Sequence, residues 1–70
     1  MLVVIEAGPE WRDSAERLAS LARRLGYRVV IRGAPQGFRV ESPAGVFEDP
    51  DRASVALARL LGFLSSGGGR

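Results

Sequence analysis

The stretch "GYRVVIRGAPQGFRVESP", residues 26–43, decides how this chain is arranged. In "YRVVIR" an extended backbone sends Tyr27, Val29 and Ile31 to one face and Arg28, Val30 and Arg32 to the other. "FRVES" repeats the alternation, with Phe38 and Val40 inward and Arg39 and Glu41 outward. Between the two runs, "GAPQG" has the glycine and proline chemistry of a reversal, which predicts an antiparallel hairpin. Such a hairpin sets Arg28, Arg32 and Arg39 on adjacent strands of one open face, with Val30 among them.

Upstream, "LVVIEA" is rich in β-branched residues and stops at Gly8-Pro9, so it reads as a strand. A helix follows. Trp11, Ala15, Leu18, Ala22 and Leu25 recur at spacings of three and four and form one apolar stripe, while Arg12, Arg17, Arg23 and Arg24 fall off it. Two starts are open: Gly8 as cap with Pro9 in the first turn, or Asp13 as cap with Glu16 three residues on. Gly26 follows the last stripe residue, where a left-handed cap favours a residue without Cβ.

Downstream, "VFE" (46–48) is a candidate short third strand beyond Pro43-Ala44-Gly45. Asp49-Pro50 then has the wording of an N-cap followed by proline at the first helical position. The helix it opens is expected to turn Leu57, Ala58, Leu60, Leu61 and Leu64 to the core, with Gly62 as an early stop.

The order β-α-β-β-(β)-α makes the fold class α+β: a small two-layer sandwich with a ferredoxin-like antiparallel sheet and both helices on one face. Residues 1–64 are expected to form the single domain and 65–70 a flexible C-terminal tail. If the first strand inserts beside the third in a split β-α-β arrangement, its far side has no neighbour. That would leave Leu2, Val3, Val4 and Ile5 as an uncharged edge open to a second copy. Size points the same way. A chain of 70 residues has a marginal core, and without cysteine or histidine it has no disulfide or thiolate or imidazole metal site to brace it. A homodimer, or another protein partner, is therefore expected.

Composition excludes most catalytic machinery. Lysine is absent along with histidine and cysteine, so a general base would have to be a carboxylate or Tyr27, and a nucleophile an unactivated serine. No enzyme and no cofactor is expected. All ten basic residues are arginine and the one side-chain amide is Gln36, as suits a thermophile or a GC-rich genome. The apolar run Met1–Ile5 is too short for a signal-peptide core or a membrane span, so a cytoplasmic location without membrane contact is the expectation.

The net charge is +2, and it is localised. Residues 1–26 balance four arginines against four acids and 48–70 balance three against three, whereas 27–47 set Arg28, Arg32 and Arg39 against Glu41 alone. That excess is small for a dedicated nucleic-acid binder.

The wording also resembles a known family. "VVIEAGPEWRDSAERLASLARRLGYRVVI" followed by "GFRVES" and "VFEDPDRASVALARLLG" is similar to the sporulation-related repeat, or SPOR domain, over roughly residues 3–62. In that family a strand ends in glycine, an Ala- and Leu-rich helix closes in Leu-x-x-Gly-Tyr, and an aromatic-Arg-Val strand precedes a phenylalanine and a second helix. Here the usual glutamine of the first strand is replaced by the Val3–Glu6 region, and the family's last strand has no counterpart. The resemblance implies a ferredoxin-like fold and binding of peptidoglycan glycan strands on the sheet face.

Arg28, Arg32 and Arg39 with Val30 are thus the candidate ligand-binding residues, against the alternative of a solvated or dimer-contact face. Trp11 is expected in the core, with partner contact as the alternative. Glu48, Asp49 and Asp51 could in principle hold a hard cation, but capping of the second helix accounts for them, and no metal is expected. Glu6, Glu10, Asp13 and Glu16 read as cap and surface charges, and Gly67–Gly69 as tail and not as a phosphate cradle. The functional expectation is a non-catalytic binding or interaction module, with a SPOR-like glycan strand as one ligand. The alternatives are a small nucleic-acid binder and a self-associating structural subunit.

Overall fold

The computed structural model describes residues 1–67, with the side chains of 61 and 63–67 outside that description. Its elements in chain order are β1 (Leu2–Ala7), a single 3-10 turn (Pro9–Trp11), α1 (Arg12–Arg24), β2 (Arg28–Gly33), β3 (Phe38–Ser42), β4 (Gly45–Phe47) and α2 (Pro50–Gly67). The four strands form one mixed sheet in the order β2-β1-β3-β4. Both helices pack on one face of it, α1 over β1 and β2, α2 over β3 and β4. This is the expected two-layer α+β sandwich.

The strand order differs from the expected one. β1 lies between β2 and β3, parallel to β2 through the α1 crossover and antiparallel to β3. Leu2, Val3, Val4 and Ile5 therefore belong to a central strand and offer no free edge; the edges are β2 and β4. Nor do β2 and β3 make a hairpin. The "GAPQ" connection steps over the end of β1, with Ala34 N–H donating to the Ala7 carbonyl at 3.0 Å and Gly8 N–H to the Gly37 carbonyl at 2.8 Å. Gly8 is required by that crossing, because a Cβ there would lie 2.6 Å from Gln36 Cα. The hairpin is instead β3–β4, closed through Pro43-Ala44 and tied by the Ser42 hydroxyl, which donates to the Gly45 carbonyl at 3.0 Å and accepts from Ala44 N–H at 3.2 Å.

The helix ends follow the sequence signals. After Gly8, Pro9 opens the 3-10 turn that leads into α1, while Asp13 lies inside the first turn of α1 and is not its cap. At the other end Gly26 takes φ +94°, Gly26 N–H donates to the Arg23 carbonyl and Tyr27 N–H to the Ala22 carbonyl, the paired bonds of a Schellman cap. A Cβ at Gly26 would meet nothing within 4 Å, so a substitution there is penalised through the backbone alone. Gly26→Ala is expected to cost about 1 kcal/mol, or roughly 4–8 °C in melting temperature for a domain of this size. A thermal melt followed by circular dichroism measures it, and an unchanged melting temperature would contradict the left-handed cap.

Asp49 caps α2 as expected, its carboxylate accepting from Asp51 N–H at 2.8 Å, with Pro50 in the first position. The helix does not stop at Gly62 but runs on through Ser65 and Ser66 to Gly67; the tail residues 68–70 lie outside the described residues.

The core lies between sheet and helices. Val3, Ile5 and Val40 from the sheet meet Ala15, Leu18, Ala19 and Ala22 of α1 and Ala53 and Leu57 of α2. Tyr27 and Phe38 close its ends, and Trp11 covers Phe38 with ring centroids 5.4 Å apart and planes tilted by 40°. Ala58, expected inward, is exposed, because α2 docks along Ala53 and Leu57 and position 58 is turned away; Leu60 is half-buried, and the side chains of Leu61 and Leu64 lie outside the described residues. Among the described residues no helix is long and apolar enough to cross a membrane.

Candidate interaction face

The pleat sends alternate residues of each strand away from the helices, and the register says which of them are neighbours. Glu6 of β1 pairs with Arg32 on one side and Arg39 on the other. Val4 pairs with Val30 and with Glu41, and Glu41 with Val46; Leu2 pairs with Arg28. Continuing the β3–β4 register by one residue sets Glu48 beside Arg39, and Glu6, Arg39 and Glu48 line one hollow. Two rows therefore cross the open face. One is charged and alternates in sign: Arg32, Glu6, Arg39, Glu48. The other is mainly apolar: Val30, Val4, Glu41, Val46, with Leu2 beside it.

Among the described residues no helix covers this face. Leu2 is 50% exposed and Val30 41%, and with the half-buried Val4 between them they form a small aliphatic patch; Val46, 56% exposed, is set off from it by Glu41.

This arrangement revises the arginine cluster. Arg28, Arg32, Arg39 and Val30 do share the open face, but β1 separates Arg32 from Arg39 by two strand spacings, about 10 Å, with the Glu6 carboxylate between them. Arg28 and Arg32 stand at opposite ends of β2, roughly 13 Å apart. Arg39 is held at 3.0 Å by Glu41, an exposed ion pair worth little in itself. With Glu6, Glu41 and Glu48 beside the three arginines, the face is close to neutral.

Leu2, Val4, Glu6 and Glu48 are not legible from the sequence as members of this face. For the first three the signal is the even-numbered phase of "LVVIE", and for Glu48 the alternation of "VFE"; both acquire a meaning only once β1 and β4 have their neighbours.

At the end of the sheet lies a shallow hollow lined by Glu6, Trp11, Gln36, Phe38, Arg39 and Glu48; of its two aromatic residues, Trp11 is half-buried and Phe38 is buried. The acidic cluster does not come together as a cation site: among the described residues no group of three or more carboxylates could hold a metal ion. Asp49 is engaged as the α2 cap and Glu10 accepts from Gly37 N–H at 3.2 Å. Comparison with protein-family models, with curated proteins and with solved structures finds no match to this chain.

Proposed function

We propose that this protein is a non-catalytic interaction module whose contact surface for another protein is the open face of the sheet. The observation that carries this reading is the pairing of an alternating row, Arg32-Glu6-Arg39-Glu48, with an uncovered row of Val30, Val4 and Val46, flanked by Leu2 and interrupted by Glu41. Protein interfaces have that mixture of apolar centre and charged surroundings. A nucleic-acid surface does not. Phosphate binding needs unopposed cations tracking a backbone, and here a carboxylate neighbours each of Arg32 and Arg39. Base stacking needs exposed aromatics, which the open-face positions of the strands do not supply. The missing histidine, cysteine and lysine support a non-catalytic role.

A second reading is favoured by one observation. The hollow at the sheet end sets the half-buried Trp11 ring beside Gln36, Arg39, Glu6 and Glu48, a ring with convergent polar groups that suits a sugar. It corresponds to the glycan ligand that the SPOR-like wording implies.

An amide-resolved NMR titration separates these readings. With short peptidoglycan glycan strands and with a mixed oligonucleotide at physiological salt, the protein-contact reading expects no saturable shifts on the face. Saturable shifts at Trp11, Gln36 and Arg39 with glycan would replace it by the sugar reading. Shifts at Arg28, Arg32 and Arg39 with oligonucleotide that vanish as salt is raised would replace it by nucleic-acid binding.

A further inference from the structure

We infer that the partner of the open face is a second copy of this chain, seated about a two-fold axis that lies between the two sheets, parallel to the strands and over the line between β1 and β3. The inference rests on the open face being a protein-contact surface, and it follows from the order of charges across the sheet. From β2 to β4 that order is Arg32, Glu6, Arg39, Glu48, which is antisymmetric about the β1–β3 line. A two-fold axis along that line exchanges left with right. It lays Arg32 over the partner's Glu48 and Glu6 over the partner's Arg39, and each contact occurs twice because the interface is isologous.

The perpendicular choice fails on the same residues. An axis running across the strands through the charged row would set Arg32 on Arg32, Glu6 on Glu6 and Arg39 on Arg39. Moved to the apolar row it would set Arg32 over Arg28. Like charges brought together at an interface cost several kcal/mol, so the face discriminates between the two ways of closing a dimer. The gap fits as well. Facing sheets pack about 10 Å apart, close to the combined reach of an arginine and a glutamate, and the length of arginine absorbs the roughly 30° angle between packed sheets. In the neighbouring row the same axis lays Val30 over the partner's Val46. It lays Val4 over Glu41, whose carboxylate is already occupied by Arg39 of its own strand.

The expected strength follows from area. Four strands at about 4.8 Å and five residues at about 3.4 Å give a flat face of roughly 300 Å² per copy, well below the about 800 Å² per partner of a standard interface. Self-association is therefore expected to be weak, with a dissociation constant of about 0.1 mM or above, and sensitive to salt through its four charge contacts.

Charge exchange between copies tests the axis. Glu6→Arg alone opposes two arginines across the interface and Arg39→Glu alone opposes two glutamates, so each variant is expected to lose at least tenfold in self-affinity by sedimentation at about 0.5 mM. Mixed in equal amounts the two should recover association as a heterodimer. In that pairing the E6R copy presents arginine at both positions 6 and 39, the R39E copy presents glutamate at both, and the two contacts are again opposite in sign. Arg32→Glu and Glu48→Arg form an independent second pair with the same expectation, and circular dichroism of each variant separates unfolding from loss of contact. Recovery in both mixtures supports the inference. A parent that self-associates while neither mixture recovers overturns the axis and leaves the face reading intact. A parent that stays monomeric to about 1 mM at low salt overturns the second copy as partner, whereas the face reading itself fails only by the ligand titration above.

Discussion

Val4→Pro is expected to cost this domain about a third or more of its stability, whereas Ile31→Pro leaves most of it in place. The difference lies in the ladder. Arg28 N–H donates to the Met1 carbonyl and Ala34 N–H to the Ala7 carbonyl, so the even-numbered residues of β2 turn their backbone groups towards β1. Val29, Ile31 and Gly33 therefore turn theirs to the free edge. On β1 the phase is opposite: Gly8 N–H donates to the Gly37 carbonyl, which assigns the even positions Val4 and Glu6 to β3. Proline at position 4 deletes a bond in the centre of the sheet and forces its ring against β3, a loss of about 3 kcal/mol or more. A chain of 70 residues has about 4–10 kcal/mol to lose.

At position 31 the missing N–H faced solvent, and the side chain given up is 44% exposed, so the cost is about 1–2 kcal/mol. Circular dichroism melts of the two variants measure the contrast. Equal tolerance at both sites would contradict the central position of β1.

The same contrast marks the limit of what the sequence can say. Local periods are legible: the stripe of α1, the alternation in β2 and β3, the Gly26 cap and the Asp49-Pro50 start each depend on residues within a few positions of one another. The neighbours of β1 are not. "GAPQG" satisfies the chemistry of a hairpin and of a bridge over a strand end equally well, and the two differ only in whether a distant segment occupies the gap. Packing decides it. Placing β1 in the middle puts Val3 and Ile5, both fully buried, under α1 with a strand on each side, whereas at an edge one flank would be open to solvent.

The character of the open face turns on the same step. The alternation places Arg28, Arg32 and Arg39 outward, as the structure has them, but their mutual distance depends on what lies between β2 and β3. With Glu6 inserted, a cluster of cations becomes an alternating row. Electrostatics that favour a polyanion in one topology favour a self-complementary protein surface in the other. The charge pattern of this face turns on strand order more than on residue composition.

Leu57→Ala is expected to lower the melting temperature by roughly 10–30 °C, the largest side-chain effect outside the sheet. Leu57 and Ala53 are fully buried residues of α2, and Leu57 is among the largest side chains of the buried cluster. Truncation leaves a cavity between two layers that cannot both collapse onto it, at about 2–5 kcal/mol. For a domain of this size each kcal/mol shifts the melt by about 4–8 °C. Tyr27→Phe isolates the polar part of the same joint. The phenol hydroxyl donates to the Leu57 carbonyl at 3.3 Å, a long bond, and its loss should cost about 0.5–1.5 kcal/mol. Val55→Ala, on the exposed side of the same helix, should stay within about 0.5 kcal/mol of the parent. The order of the three effects carries the argument. Most helical stability in proteins comes from the packing of an apolar face, so α2 is held by what it buries and only secondarily by its cap. A Leu57→Ala protein melting within a few degrees of the parent would mean that α2 lies outside the cooperative unit and that the core ends at α1.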